Sequence, residues 1–355
     1  MVRVTGNFQS EAALNPLARE ALLAAIDSGW ADPKKIGQFP SKAAILRNNA
    51  LAAIADRLGL SIEQIEITGE VGLSYFLSLA GLLGPNKNLY FGAGDRSGVI
   101  ATVRSHQGAI TEIPLYRNGK LNFSNTKLLP SSVLALQLAN GESGAINDLP
   151  IEFPEDLLIA VDATASGARV KFPTQWATAC FDSRSWDGPA GLAIVAINSA
   201  ASWRNPLPHI SAARRTYGTY SLPLLLASAV ALENFQPNET LTRELTKQFR
   251  SEISAAIPDV LIAGDLTESM SHLTSIVISG VNGEELVREL DRQGFAVDSG
   301  SACTAMNLAP SHVLTAMGLP TDGNIRIAIH SETTNLEISA LVKALVGAVQ
   351  SQRLR

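Results

Sequence analysis

Cys303 lies among small and polar residues, between Ser299-Gly300-Ser301-Ala302 and Thr304. Such neighbours do not pack a side chain within their own segment, so the loop can move and the sulfur can reach another molecule. Because the thiolate is the reactive form of cysteine, this setting suits a thiol that attacks or carries sulfur. The alternative is a buried and inert side chain, which is the more usual role of a single cysteine.

Arg326 is the second candidate, inside the apolar segment Asn324-Ile325-Arg326-Ile327-Ala328-Ile329, which predicts a strand. A planar guanidinium binds a carboxylate through two hydrogen bonds, so Arg326 could hold an acidic substrate group. The simpler alternative is an ion pair within the strand. Ser311, between Cys303 and this strand, marks the start of a short helix.

Asp162 and Gly69 stand where open α/β sheets bind ligands. Asp162 follows the apolar run 157–161, at the carboxyl end of a predicted buried strand. Gly69 follows the short strand 65–68 and precedes a helix, whose first N–H groups could bind a phosphate. Each has a plainer alternative: Asp162 could cap the next turn, and Gly69 could simply form a tight turn.

The elements that position these residues alternate as a mainly parallel sheet with helices on both faces requires. Short apolar segments predict strands at 65–68, 88–91, 110–115, 133–138, 157–161, 178–181 and 192–197. Helices are predicted from Pro16, capped by Asn15, then from Ser41, and over 73–83, 222–235 and 239–257. The remainder predicts strands at 272–279, 295–297 and 324–329, and helices at 284–293, 311–317 and 336–349.

We therefore predict an α/β fold with two domains. Residues 14–235 form the large domain, residues 236–355 form a smaller C-terminal α/β domain, and residues 1–13 pack nearby. The formal net charge of −5 gives no electrostatic reason to expect nucleic acid or an anionic membrane as partner. No signal-peptide pattern, membrane-spanning run or zinc-type Cys/His spacing is visible, so we expect a cytoplasmic chain without a metal site.

The chain resembles the cysteine desulfurases of the class V aminotransferase family. The strongest matches are Ser299-Gly300-Ser301-Ala302-Cys303, Pro310-Ser311-His312-Val313-Leu314 and Asn324-Ile325-Arg326. Weaker matches are Ala31-Asp32-Pro33, Ala139-Asn140-Gly141-Glu142-Ser143-Gly144, Val161-Asp162-Ala163, Gly188-Pro189-Ala190-Gly191 and Gly218-Thr219. The resemblance implies a fold type I large domain for pyridoxal 5′-phosphate (PLP), a dimer, and transfer of sulfur from L-cysteine through a persulfide.

The resemblance also implies roles for individual residues. Cys303 would carry the persulfide, and Arg326 would bind the substrate carboxylate. Asp162 matches the carboxylate that keeps the cofactor's pyridine nitrogen protonated. Gly69 matches the phosphate turn, and Thr219 matches a residue that reaches the phosphate from across the dimer.

Several cofactor contacts of the family are replaced in this sequence. Arg184 and Ser185 stand where the family has a His-Lys pair, and a serine hydroxyl cannot form the imine that the lysine makes with PLP. Arg96 falls at the ring-stacking histidine, Val71 at a phosphate-binding threonine, and Ala165 at a glutamine that holds the phenolic oxygen. Covalent attachment of PLP is therefore not expected.

Three functions follow from this combination. The leading hypothesis is a divergent sulfur-transfer protein that uses Cys303 as a persulfide carrier, as a homodimer or beside an active desulfurase, with a sulfur-acceptor protein as further partner. The second is a PLP enzyme that works without a Schiff-base lysine. Losing a general base such as that lysine typically lowers the rate by ~10² to 10⁴-fold. The third is a non-catalytic dimer partner or scaffold.

Overall fold

The computed structural model describes residues 6–27, 31–208, 220–300 and 310–354. The strands are β1 (Asn7–Phe8), β2 (Ile65–Thr68), β3 (Leu89–Gly92), β4 (Ile110–Ile113), β5 (Val133–Gln137), β6 (Leu158–Asp162), β7 (Thr178–Asp182), β8 (Ala193–Ile197), β9 (Leu261–Ala263), β10 (Leu273–Val277), β11 (Ala296–Val297) and β12 (Asn324–Ala328). The helices are α1 (Pro16–Asp27), α2 (Gln38–Leu58), α3 (Val71–Ala80), α4 (Ser97–Arg104), α5 (Leu222–Glu233), α6 (Glu239–Ala256), α7 (Gly283–Arg292), α8 (His312–Ala316) and α9 (Asn335–Arg353).

A seven-stranded sheet dominates the fold, in the order β2-β8-β7-β6-β5-β3-β4. The five neighbours from β7 to β4 pair in parallel, whereas β8 is antiparallel to both of its neighbours. Helices cover both faces because the strands are apolar on both sides. In β5, for example, Leu134 and Leu136 pack in the core that includes α1, α2 and α5, while Val133 and Ala135 pack towards α3 and α4. The predicted fold class is confirmed.

A second, antiparallel sheet has the order β12-β10-β9 and shares an apolar core with α6, α7 and α9. The N-terminal segment contributes to this core, because β1 pairs in parallel with β11 and Phe8 is buried there. The predicted boundaries at 14–235 and 236–355 stay predictions. Among the described residues, no helix is both long enough and apolar enough to span a bilayer; residence in the cytoplasm also stays a prediction.

The second helix starts earlier than the sequence predicted. It begins at Gln38 after Gly37, and not at Ser41. Pro40 lies in its first turn, where the missing proline N–H has no partner to lose, so the proline does not delay the helix. The first helix does begin at Pro16, and the Asn15 side chain accepts the N–H of Leu17 at 3.0 Å. Helix α4 and the short strands β1 and β9 were not predicted.

Candidate active site

The candidate site lies at the carboxyl ends of β6 and β7, where Asp162 and Asp182 are the last strand residues. Asp162 is only 6% exposed. Its Oδ1 atom accepts hydrogen bonds from the Thr164 N–H at 2.9 Å and the Thr164 hydroxyl at 2.6 Å. The turn-capping role that the sequence left open is therefore present. The Oδ2 atom lies 3.7 Å from Nε of Arg96 and is buried without a hydrogen bond among the described residues.

A buried polar chain extends from Asp162 below the site. The Tyr75 hydroxyl lies 2.9 Å from the Thr164 hydroxyl, which in turn donates to Asp162. Burial, followed by the negative charge of Asp162, raises the pKa of Tyr75 far above its ordinary value, so the phenol stays protonated. Cys180 lies beside the same carboxylate, is buried, and has its pKa raised by that burial. Its thiol is therefore a structural group and not a reactive one.

Ser185 lies in the turn after β7, and its hydroxyl donates to the Asp182 carbonyl at 2.7 Å. The Arg169 guanidinium binds the Ser185 carbonyl, so the turn is held from both sides. The neighbouring Arg184 binds the carboxylate of Asp182 at 2.8 Å and also pairs with Glu11. Hydrogen bonding to Asp182 raises the pKa of Arg184 further. Lys171, the nearest lysine in sequence, is exposed in the segment between β6 and β7.

Gly69 and Val71 lie at the start of α3, as predicted, but the N-cap between them is Glu70. The Glu70 carboxylate accepts the N–H of Leu73 at 2.6 Å and thereby places a negative charge over the first helical turn. Gly69 does not have a positive φ, and a Cβ built on it meets no described atom within 4 Å. The turn itself therefore does not require glycine at this position.

Arg326 is engaged in the ion pair that the sequence left open as the alternative. Its Nη2 atom lies 3.1 Å from Oδ2 of Asp298 and donates to the Ser10 hydroxyl at 3.2 Å. Its Nη1 atom donates weakly to the Gly141 carbonyl at 3.4 Å. The Nε atom is buried without a hydrogen-bond partner among the described residues. Arg326 therefore retains one buried donor, although its charge is already balanced.

Glu142 connects Ser311, just after the segment that carries Cys303, to Asn324 at the start of β12, and the sequence did not single it out. Its Oε2 atom accepts from the Ser311 hydroxyl at 2.9 Å, and its Oε1 atom accepts from the Asn324 amide at 2.8 Å. Burial raises the pKa of Glu142, and the two hydrogen bonds oppose that rise. The available signal was the polar run Asn140-Gly-Glu-Ser-Gly after an apolar strand.

Arg96 lies beside Asp162 and Gly141, and the Gly141 carbonyl accepts from Arg326. Arg184 and Ser185 lie in the turn after β7, next to Asp182 at the end of that strand. Cys303 and Thr219 lie outside the described residues, so their predicted roles remain predictions. The three arginines at this site face four carboxylates, those of Asp162, Asp182, Glu11 and Asp298. The charges of Arg96 and Arg184 are therefore balanced by nearby carboxylates.

Comparison with known proteins agrees with this fold. The family described as Aminotransferase class-V matches residues 98–341. A cysteine desulfurase of Nostoc sp. is 28% identical over 63% of this chain and 60% of its own length. The cysteine desulfurase NifS of Azotobacter vinelandii is 26% identical over 73% of this chain and 72% of its own. A solved NifS-like protein superposes with a TM-score of 0.85 at 19% identity, covering 98% of this chain and 100% of that chain.

The chain belongs to the class V aminotransferase family, and the resemblance to the cysteine desulfurase family is confirmed. It spans about 60% of the length of the first curated relatives that it matches. The superposition at 19% identity supports the fold alone.

The family is PLP-dependent, so the residues present can be compared with what PLP needs. A phosphate would meet the Glu70 carboxylate at the start of α3, and Val71 has no hydroxyl to offer. The space above Asp162 contains the Arg96 side chain, and Ser185 provides no amine. The orphaned Oδ2 atom of Asp162 is the one feature that would suit a pyridinium N–H. The described residues as a set do not fit PLP.

Proposed function

We propose that this protein transfers sulfur without generating it, and that Cys303 receives sulfane sulfur from a persulfide. The observation that carries this proposal is the position of Ser185. Where the family resemblance places the imine-forming lysine, the hydroxyl of Ser185 is bound to the Asp182 carbonyl at 2.7 Å. A desulfurase without that amine lacks the group that would anchor the cofactor and move the substrate proton.

The frame that holds the Cys303 segment supports the same proposal. Before the segment, Asp298 pairs with β12 through backbone hydrogen bonds of 2.8 and 3.1 Å to Arg326. After the segment, Ser311 caps α8 and donates to Glu142, which also binds Asn324 at the start of β12. Both ends are thus attached to the strand that contains Arg326.

The transfer step needs no cofactor. The Cys303 thiolate attacks the outer sulfur of a donor persulfide, the donor's S–S bond breaks, and the donor leaves as a thiolate. A new S–S bond forms on Cys303, so one persulfide is consumed and one is produced with no net oxidation. The donor class is a desulfurase that retains its lysine. Cysteine desulfurases work as dimers and deliver sulfur to acceptors, and we propose a dimer here, with itself or with such a desulfurase.

A second candidate function is a non-catalytic dimer partner, and the Arg326–Asp298 ion pair favours it. If Arg326 binds no substrate carboxylate because the Asp298 carboxylate already balances its charge, the retained fold serves assembly alone. The two functions differ in what they require of Cys303. Sulfur transfer needs the thiol, whereas an assembly role tolerates its removal.

The experiment is intact-mass analysis of the purified chain after incubation with L-cysteine, with and without a lysine-containing desulfurase. We expect the mass of one sulfur atom to be added only when the desulfurase is present, and to be lost in Cys303→Ser. Cys180→Ser is the matched control, because that thiol is buried and should not accept sulfur. Unchanged transfer in Cys303→Ser would reject sulfur carriage and leave the assembly role.

A further inference from the structure

We propose that the chain fills its own cofactor site: Glu70 takes the place of the cofactor phosphate and Arg96 the place of its pyridinium. The inference deepens the proposed function and relies on it only in that sulfur is received rather than generated. Loss of the lysine alone would leave an empty cleft that still attracts the cofactor. The charges of Glu70 and Arg96, called the internal charges below because they belong to the chain itself, exclude it.

At the phosphate end, Glu70 occupies both features through which a helix N-terminus binds an anion: a free N–H donor and the positive end of the helix dipole. Its carboxylate accepts the Leu73 N–H at 2.6 Å, which satisfies one of the donors that a phosphate would use. Its negative charge already interacts favourably with the positive end of α3. The carboxylate also covers the first turn, because a Cβ built on Gly72 would lie 2.8 Å from Oε2 of Glu70. A phosphate at this position meets like charge and has one donor fewer.

At the ring end, the Arg96 side chain extends from the N-cap of α4 across the strand ends. Its Nε atom lies 3.7 Å from Oδ2 of Asp162, the carboxylate matched to the pyridine partner. A Cβ built on Gly141 would lie 2.9 Å from Nη2 of Arg96 and 3.5 Å from the Ala165 side chain. The guanidinium therefore lies between Asp162, Gly141 and Ala165. It places a positive charge beside the Asp162 carboxylate.

The two substitutions act at opposite ends of the same site, so each can be tested with a ligand that reports only its own end. Pyridoxine 5′-phosphate carries both ring and phosphate but lacks the aldehyde, and it cannot form imines with surface lysines. Pyridoxine carries the ring alone, and inorganic phosphate carries the anion alone. Binding of all three is measured by isothermal titration calorimetry on the full chain.

Two variants remove the internal charges with little disturbance to the fold. Glu70→Ser keeps an oxygen that can cap α3 and removes the negative charge. Arg96→His keeps a side chain that can hydrogen-bond to Asp162, and its smaller size opens the space above that carboxylate. We expect weak or undetectable binding of all three ligands to wild type. We expect roughly tenfold tighter binding of pyridoxine 5′-phosphate in each variant, since an anion at a helix N-terminus or a close charge contributes on the order of a tenfold change.

The ligand pattern separates this inference from a general loosening of the cleft. Glu70→Ser should improve phosphate and pyridoxine 5′-phosphate but not pyridoxine, while Arg96→His should improve both ring-containing ligands but not phosphate. Glu155→Ala and Arg104→Ala, which remove exposed charges elsewhere, should change nothing. Ser185→Lys alone should leave binding of pyridoxine 5′-phosphate weak, because the internal charges remain.

Two outcomes would overturn the inference. One is tight binding of pyridoxine 5′-phosphate by wild type, and the other is an affinity that neither variant improves although both unfold cooperatively in urea. Neither outcome decides whether Cys303 accepts sulfur, which is read from intact mass. Conversely, a chain that accepts no sulfur could still show the expected ligand pattern. Failure of this inference is therefore distinguishable from failure of the proposed function.

Discussion

Replacing Glu142 by alanine tests whether this buried carboxylate holds the frame around the Cys303 segment. The change removes the acceptor for the Ser311 hydroxyl at 2.9 Å and for the Asn324 amide at 2.8 Å. Glu142 is only 8% exposed, so water does not readily replace the lost partner. Each buried donor left unsatisfied costs about 1–3 kcal/mol, so we expect the loss of two partners in Glu142→Ala to lower the free energy of unfolding by roughly 2–6 kcal/mol.

Urea unfolding followed by circular dichroism measures this cost, with Glu142→Gln as the matched control. Glutamine keeps one acceptor and the side-chain shape, so we expect a loss of about 1 kcal/mol at neutral pH. A loss below about 0.5 kcal/mol in Glu142→Ala would mean that the two hydrogen bonds do not support the fold, since surface-like substitutions fall in that range. The frame proposed for Cys303 would then lose its main support.

The difference in stability between wild type and Glu142→Gln should depend on pH, and the burial of Glu142 determines the sign of that dependence. The folded-state pKa of Glu142 is raised above its ordinary value of 4.5, so the protonated form favours folding. That contribution is fully present below the unfolded value and is lost as pH rises through the folded pKa. We therefore expect wild type to lose stability relative to Glu142→Gln as pH increases over this window. A difference in unfolding free energy that stays constant between the unfolded and folded pKa values would contradict a raised pKa for Glu142.

Four further substitutions, at Arg326, Asp298, Trp186 and Asp95, test ion-paired or buried side chains by urea unfolding. Arg326→Ala should cost about 2 kcal/mol by removing charged hydrogen bonds. Asp298→Ala should cost less in that background than in wild type, because only its hydrogen bonds from Ser10 then remain to be lost; full additivity would argue against the ion pair. Trp186→Ala, beside Ser185, removes a fully buried ring and should cost about 3–5 kcal/mol, whereas a near-neutral result would show that the turn is not anchored by this ring. Asp95→Asn should stabilise the protein at neutral pH, because burial raises the pKa of Asp95, and this gain should shrink as pH falls towards 3.8; a gain that grows in acid would contradict that sign.

The sequence predicted the parts of the structure that depend on local pattern. Apolar runs such as 157–161 placed the buried strands, and Asp162 followed because it ends such a run. The start of α1 was also predictable, because Asn15 and Pro16 are a cap and a first-turn residue. The spacing of the matched motifs singled out Ser185 and Arg326. It did not predict which groups their side chains contact.

What the sequence did not predict depends on contacts between distant segments. Nothing local to Glu142 indicates that Ser311 and Asn324 donate to it, because all three meet only after the two sheets pack. The family resemblance matched Arg96 to a histidine, which stays a prediction, and the proximity of Arg96 to Asp162 required the geometry of adjacent strand ends. Glu70 was overlooked because a glutamate at a helix start is an ordinary cap. Only its position where the family binds the cofactor phosphate indicates that it also blocks that phosphate.

The most direct test of the central proposal is the intact mass of the chain, with the added sulfur mapped to a peptide. The purified protein is incubated with L-cysteine and PLP alone, and in parallel with a persulfide-loaded desulfurase. We expect one added sulfur on Cys303 in the second reaction and none in the first. Sulfur acquired from L-cysteine and PLP alone, or none acquired from the loaded desulfurase, would contradict a protein that receives sulfur without generating it.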